Sequence, residues 1–187
     1  FNAVVSPKDL HETYLPAFKA CVKEANAQSI MCAYNRTNDI VCCAHPHLLQ
    51  DILRDDWGFD GHIVSDCAAV KYFHQFHNVT QGPAHSAALA VKNGCDLNCG
   101  SMYNPYLLEA YQAGLITEEE IDVSLKRLMK ARMQLGMFDP PEMVPYADIP
   151  YDVVDGKKHK ELALEAARKS IVLLKNDGIL PLQKEQV

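Results

Sequence analysis

The chain has 187 residues, 48% of them apolar and 22% charged, with a net charge of −6 at neutral pH. That length can bury a sizeable core, and no apolar run approaches the roughly 18 residues of a membrane span, so no transmembrane segment is expected. Lysines and arginines are scattered along the helical patterns with no single basic block, which argues against nucleic acid or an anionic membrane and favours a neutral substrate. The start at Phe1-Asn2-Ala3, without Met or a charged-then-apolar leader, reads as a piece of something longer and says nothing about compartment.

Ser6 and Pro7 predict a helix start, with Leu10, Tyr14, Phe18, Cys21, Val22 and Ala25 on one face and Pro16 kinking or dividing it. A short apolar strand, Ser29 to Ala33, then runs into Tyr34-Asn35-Arg36. A second helix is predicted from about Pro46 to Asp56, with Leu48, Leu49, Ile52 and Leu53 inward and Gly58 beyond its end. His62-Ile63-Val64 ends at Ser65-Asp66, a weaker helix covers Ala84 to Val91, and Cys95-Asp96-Leu97 ends at Asn98. Ile30, Ile63 and Asp96 are spaced at 33 residues, and each interval holds a helical pattern. That is strand, loop and helix repeated, which requires parallel strands; a (β/α)8 barrel allots about 31 residues to each unit, and a doubly wound sheet has similar spacing.

Further on, Thr117 and Glu120 have the spacing of a capping box with Ile116 and Ile121 as staple, and the helix should continue to Gly136 with Lys126, Arg127, Lys130 and Arg132 toward its negative end. From Phe138 to Gly156 periodicity lapses among Pro140, Pro141, Pro145 and Pro150, a linker composition. A helix from His159 to Lys169 then leads into Ser170 to Lys175, read as a buried strand opening a second domain.

Seven cysteines make an odd count in a chain of this size, so a disulfide framework is a poor reading and most are expected as buried free thiols. Cys42-Cys43 and Cys95-x-x-x-Cys99, near His45 and His47, lack the paired CxxC spacing of a zinc site.

In parallel α/β folds reacting groups collect at the carboxyl ends of strands. Asp66 holds such a place, where an ionised carboxylate can serve as nucleophile, base or metal ligand, or equally cap the next helix. Tyr34, Asn35 and Arg36 admit sugar contacts, or a turn and a surface ion pair; Asp96 and Asn98 admit the same two readings. Trp57 reads as packing, and His74, His77 and His85 as solvated loop residues.

Ile30-Met31-Cys32-Ala33-Tyr34-Asn35, then Leu48 through Gly61, then Val64-Ser65-Asp66 resemble the signature region of glycoside hydrolase family 3. Leu10 to Phe18 is similar to the family helix before it, Asp96 to Gly100 to the following strand end, and Ser170 to Leu182 to the opening of the family's second domain. The resemblance implies the C-terminal part of a (β/α)8 TIM-type barrel over 1–138, a linker over 139–158, and the start of an incomplete α/β-sandwich domain over 159–187. It implies a retaining exo-acting β-glucosidase or β-xylosidase in which Asp66 is the nucleophile and Tyr34 lines the sugar subsite, without cofactor or metal. The expected partner is a β-linked oligosaccharide or aryl glycoside. The general acid is expected beyond Val187, so the 187 residues alone should be inactive. Cys67 stands where many β-glucosidases of the family carry Trp and where cysteine is frequent in xylosidase-like members, so both sugars stay open. The family points to a periplasmic or extracellular location, with the cytoplasm left open. Two other functions compete: a metal-dependent barrel hydrolase with Asp66 and Asp96 as ligands, and an inert carbohydrate-binding relative.

Overall fold

A computed structural model describes residues 1–183. Its contacts divide the chain into two units, Phe1–Asp139 and Pro140–Val187.

In the first unit β1 (Asn2–Ala3) precedes α1 (Pro7–Asp9), where Ser6 Oγ accepts the Asp9 N–H at 3.1 Å. π-Helical turns over Leu10–Tyr14 lead to α2 (Pro16–Lys23). Pro16 divides the helix as expected, since it lacks an N–H and its ring crowds the preceding turn. After β2 (Ser29–Cys32) comes a hairpin not anticipated from the sequence, β3 (Arg36–Thr37) and β4 (Ile40–Val41). Asn38 and Asp39 turn it with φ of 47° and 71°, the left-handed pair that a two-residue hairpin loop needs. β1 pairs in parallel with β3, giving the order β1-β3-β4.

The helix expected after Pro46 is a π-helix over His47–Asp56 with Leu49, Ile52 and Leu53 buried; Gly58, at φ 73°, lies just past its end. β5 (His62–Ser65) follows. Gly61 lets it lie close to the chain entering β2, because a Cβ there would collide with the Gln28 carbonyl. Then come α3 (Ala69–Gln75), α4 (Pro83–Lys92), α5 (Tyr106–Gln112) and α6 (Glu118–Gln134). The capping box of α6 forms in both directions, Thr117 Oγ1 accepting the Glu120 N–H at 3.2 Å and Glu120 Oε2 the Thr117 N–H at 2.9 Å.

The 33-residue interval is the register of a parallel sheet. β2 pairs in parallel with β5, and Ile30 stands directly opposite Ile63. The third expected strand is reduced to one parallel bridge, Val64 to Leu97. The Asp96 side chain is the reason. Its Oδ2 takes the Ile63 N–H at 2.9 Å, while the Asp96 and Leu97 N–H groups both donate to Ile63 O, so a side chain occupies a ladder position. Ile63, Val70, Phe73, Cys43 and Cys95 are the innermost side chains of the core around this sheet.

In the second unit, turns at Pro141–Met143 and Tyr151–Val153 precede α7 (Lys157–Ser170). The buried strand expected over Ser170–Lys175 is not present: no strand is formed there and Ile171 to Leu174 are exposed. A strand exists only with a ladder partner, and the described residues of this unit supply none.

Candidate active site

Asp66 directly follows β5, its N–H donating to Cys32 O at 3.0 Å as the last rung toward β2. The chain then turns through Ala68 at φ 66°, and α3 starts with no side-chain cap. Asp66 Oδ1 accepts the N–H of the adjacent Cys67 at 2.7 Å, so the carboxylate is not used to cap the helix. The group is half-buried.

Both neighbours of Asp66 are fastened to the next strand end. Buried Ser65 Oγ accepts Asn98 Nδ2 at 3.1 Å and Cys99 N–H at 3.0 Å, and Asn98 Oδ1 in turn accepts Met102 N–H at 2.9 Å. Cys67 is joined to Cys99 by a disulfide. A second disulfide, Cys32–Cys43, closes the loop that carries the hairpin. The reading of mostly free thiols is thereby corrected: four of the seven cysteines are paired, and Cys21, Cys42 and Cys95 are free. Spatial neighbours decide pairing, and the strand repeat held the signal, since Cys67 and Cys99 are 32 residues apart, almost one repeat.

Tyr34 reaches the same place from β2. Its hydroxyl donates to Cys67 O, its ring stands 5.1 Å from that of Tyr72, and its carbonyl accepts His77 Nε2 at 2.8 Å. Loss of solvation lifts the phenol pKa above its ordinary value, and the Asp66 charge adds to the shift. Phe1, Tyr34, Asn35, Tyr72, Phe76 and His77 line a cavity of about 290 Å³ here. Arg36 belongs to β3 and Trp57 packs in the core. His74 and His77 are not merely solvated: Nδ1 of His74 is 2.9 Å from Ser86 Oγ, and His77 holds Tyr34.

Asp96 is not brought to Asp66. Its carboxylate lies at the level of Ile63, three residues and ~10 Å of strand rise earlier. Oδ1 accepts Ser124 Oγ and Arg127 Nη1, both at 2.9 Å, and Oδ2 accepts Arg54 Nη2 at 3.0 Å together with the Ile63 N–H. With these donors engaged Asp96 is a structural hub, and its pairing with Asp66 around a metal is not formed. Among the described residues one cluster has metal-ligand geometry, Cys32, Cys43 and Cys95. Two of its sulfurs are bonded to each other, which leaves a single thiol, and burial pushes the Cys95 pKa up to about 12.

Residues 2–131 match the model of the glycosyl hydrolase family 3 N-terminal domain. The chain belongs to glycoside hydrolase family 3. A probable exo-1,4-beta-xylosidase of Aspergillus clavatus is 45% identical over 186 residues, covering 98% of this chain and 24% of the relative. A xylan 1,4-beta-xylosidase of Xylanibacter ruminicola is 44% identical over 182 residues, 96% of this chain and 21% of the relative. Among solved structures, a family 3 exo-beta-xylosidase in complex with a xylobiose aziridine probe superposes with a TM-score of 0.84 at 34% identity, covering 98% of this chain and 24% of that one. A beta-glucosidase from Listeria innocua in complex with glucose gives 0.78 at 27% identity, covering 97% and 25%. The chain therefore spans about a quarter of the length of the family 3 relatives it matches. Its fold is that of the family's TIM-type α/β barrel, in which β2, β5 and the 95–97 segment are successive strands.

Proposed function

We propose that this chain supplies the nucleophile strand of a retaining, exo-acting β-glycosidase that removes single sugars from the non-reducing ends of β-xylosides or β-glucosides. The observation that carries the reading is the state of Asp66: a half-buried carboxylate at the carboxyl end of a barrel strand, fixed through both neighbours and free of any helix-capping duty. Such a group can attack an anomeric carbon to form a glycosyl ester that water later hydrolyses, with a proton donor ~5 Å away. Tyr34, touching Cys67 and Asp66 from the neighbouring strand, lines the subsite where the reacting sugar lies. The proton donor belongs to the sandwich domain that 159–187 begins, after a linker over 139–158 and the barrel portion over 1–138. The names of the relatives favour xylosides as the first substrates to try. Two disulfides suit an oxidising compartment, periplasmic or extracellular.

The test is Asp66→Asn in the full-length protein, assayed on nitrophenyl β-xyloside and β-glucoside. Asn conserves volume and deletes the nucleophilic charge, so turnover should fall by orders of magnitude while the fold persists. A variant with near-normal turnover ends the assignment.

A further inference from the structure

Tyr34 lies beyond the last paired residue of β2, Cys32, so the sheet does not fix its orientation. Three contacts do: the hydroxyl donating to Cys67 O, the ring against Tyr72 and the carbonyl accepting His77 Nε2. All three come from one stretch, 67–77, which begins next to Asp66 and runs through α3. His77 is itself held two residues past that helix by its own N–H, which donates to Tyr72 O at 2.9 Å. The segment leaving the nucleophile thus folds back to grip the tyrosine that faces the nucleophile.

We propose that His77 is a positioning residue for this site: its Nε2–H fixes the Tyr34 peptide, and with it the approach of the phenol to Asp66. A carbonyl can only accept, so the proton resides on Nε2, and both the neutral tautomer and the cation keep the bond. The role therefore needs a donor at that distance and no change of charge. It rests on the assignment of Asp66 and Tyr34 above.

The experiment uses the full-length protein and nitrophenyl β-xyloside. Wild-type turnover and its loss in Asp66→Asn come first, since failure there ends the underlying reading and not the role of His77. His77→Ala should then lower kcat/KM about tenfold, the usual weight of one well-placed hydrogen bond, with the thermal midpoint little changed. His77→Gln, whose amide can donate over a similar reach, should recover most of the loss. In a Tyr34→Ala background, where the side chain to be positioned is gone, His77→Ala should cost less than twofold more. Wild-type kcat/KM in His77→Ala, no recovery by Gln, or an undiminished tenfold loss in the Tyr34→Ala background would each overturn the proposal.

Discussion

Replacing Asp96 with Asn tests the hub beneath the site. The carboxylate is fully buried and accepts four hydrogen bonds, two on each oxygen. Asn keeps the volume but has one oxygen, so its NH2 must face one of the two donor pairs. The favoured orientation keeps the oxygen on Arg54 and the Ile63 N–H, because the Arg54 side chain is 7% exposed. The NH2 then opposes Ser124, whose hydroxyl can rotate to accept, and Arg127, which at 24% exposure can turn partly to water. Both guanidinium groups still lose their counter-charge. Breaking a buried pair by removing one partner costs about 3–5 kcal/mol, and the partial escape of Arg127 places this substitution near ~3 kcal/mol. At 1.36 kcal/mol per decade that is about a hundredfold. Hydrogen exchange of the Ile63 amide in the full-length protein reads it directly, since that N–H donates to Asp96 and β5 should open about a hundred times more often. Lys130→Ala, which removes an exposed ion pair to Asp60, is the control and should leave that exchange unchanged. A change below tenfold for Asp96→Asn would refute the assignment of Asp96 as the tie between strand and helices.

Three further outcomes are expected. Gly61→Ala should cost about 2–3 kcal/mol and lower the thermal midpoint, because its Cβ meets the Gln28 carbonyl, backbone that cannot move without disturbing β2; an unchanged midpoint would show that the two strands have slack. Iodoacetamide at pH 8 should label exposed Cys21 and spare buried Cys95 until the protein is unfolded: a pKa raised to about 12 keeps the thiol protonated at that pH, and mass mapping that finds native Cys95 alkylated would contradict this. The 187 residues expressed alone should be poorly soluble and inactive on aryl glycosides, given exposed Phe18, Met31, Leu173 and Leu174; a monodisperse, active product would refute the division of roles between domains.

Features written in local spacing were legible in the sequence. The 33-residue interval became the Ile30–Ile63 register because each barrel unit repeats one strand and one helix, and the α6 cap formed because Thr117 and Glu120 need only each other. Features that depend on distant neighbours were not. The disulfides join strand ends that only the sheet brings together, and α3 starts from Ala68 in a left-handed turn with no capping side chain to announce it. The hairpin did have a signal, Asn38-Asp39, overlooked because its strands are two residues each. For Asp66 the residues alone left nucleophile and cap level, and only the resemblance to family 3 separated them. His77 gave no sign in the sequence, since its partner is a backbone carbonyl 43 residues away.

The Cys67–Cys99 bond also changes what a broken chain would look like. It encloses α3, α4 and the turn between them, where Asn78 and Gln81 are exposed to a protease. A single cut there leaves both pieces covalently joined at the strand ends that hold Asp66. Such a nicked molecule would run as intact protein on a gel without reductant and separate only when reduced, so the covalent loop lets the site outlast damage to the segment that follows it.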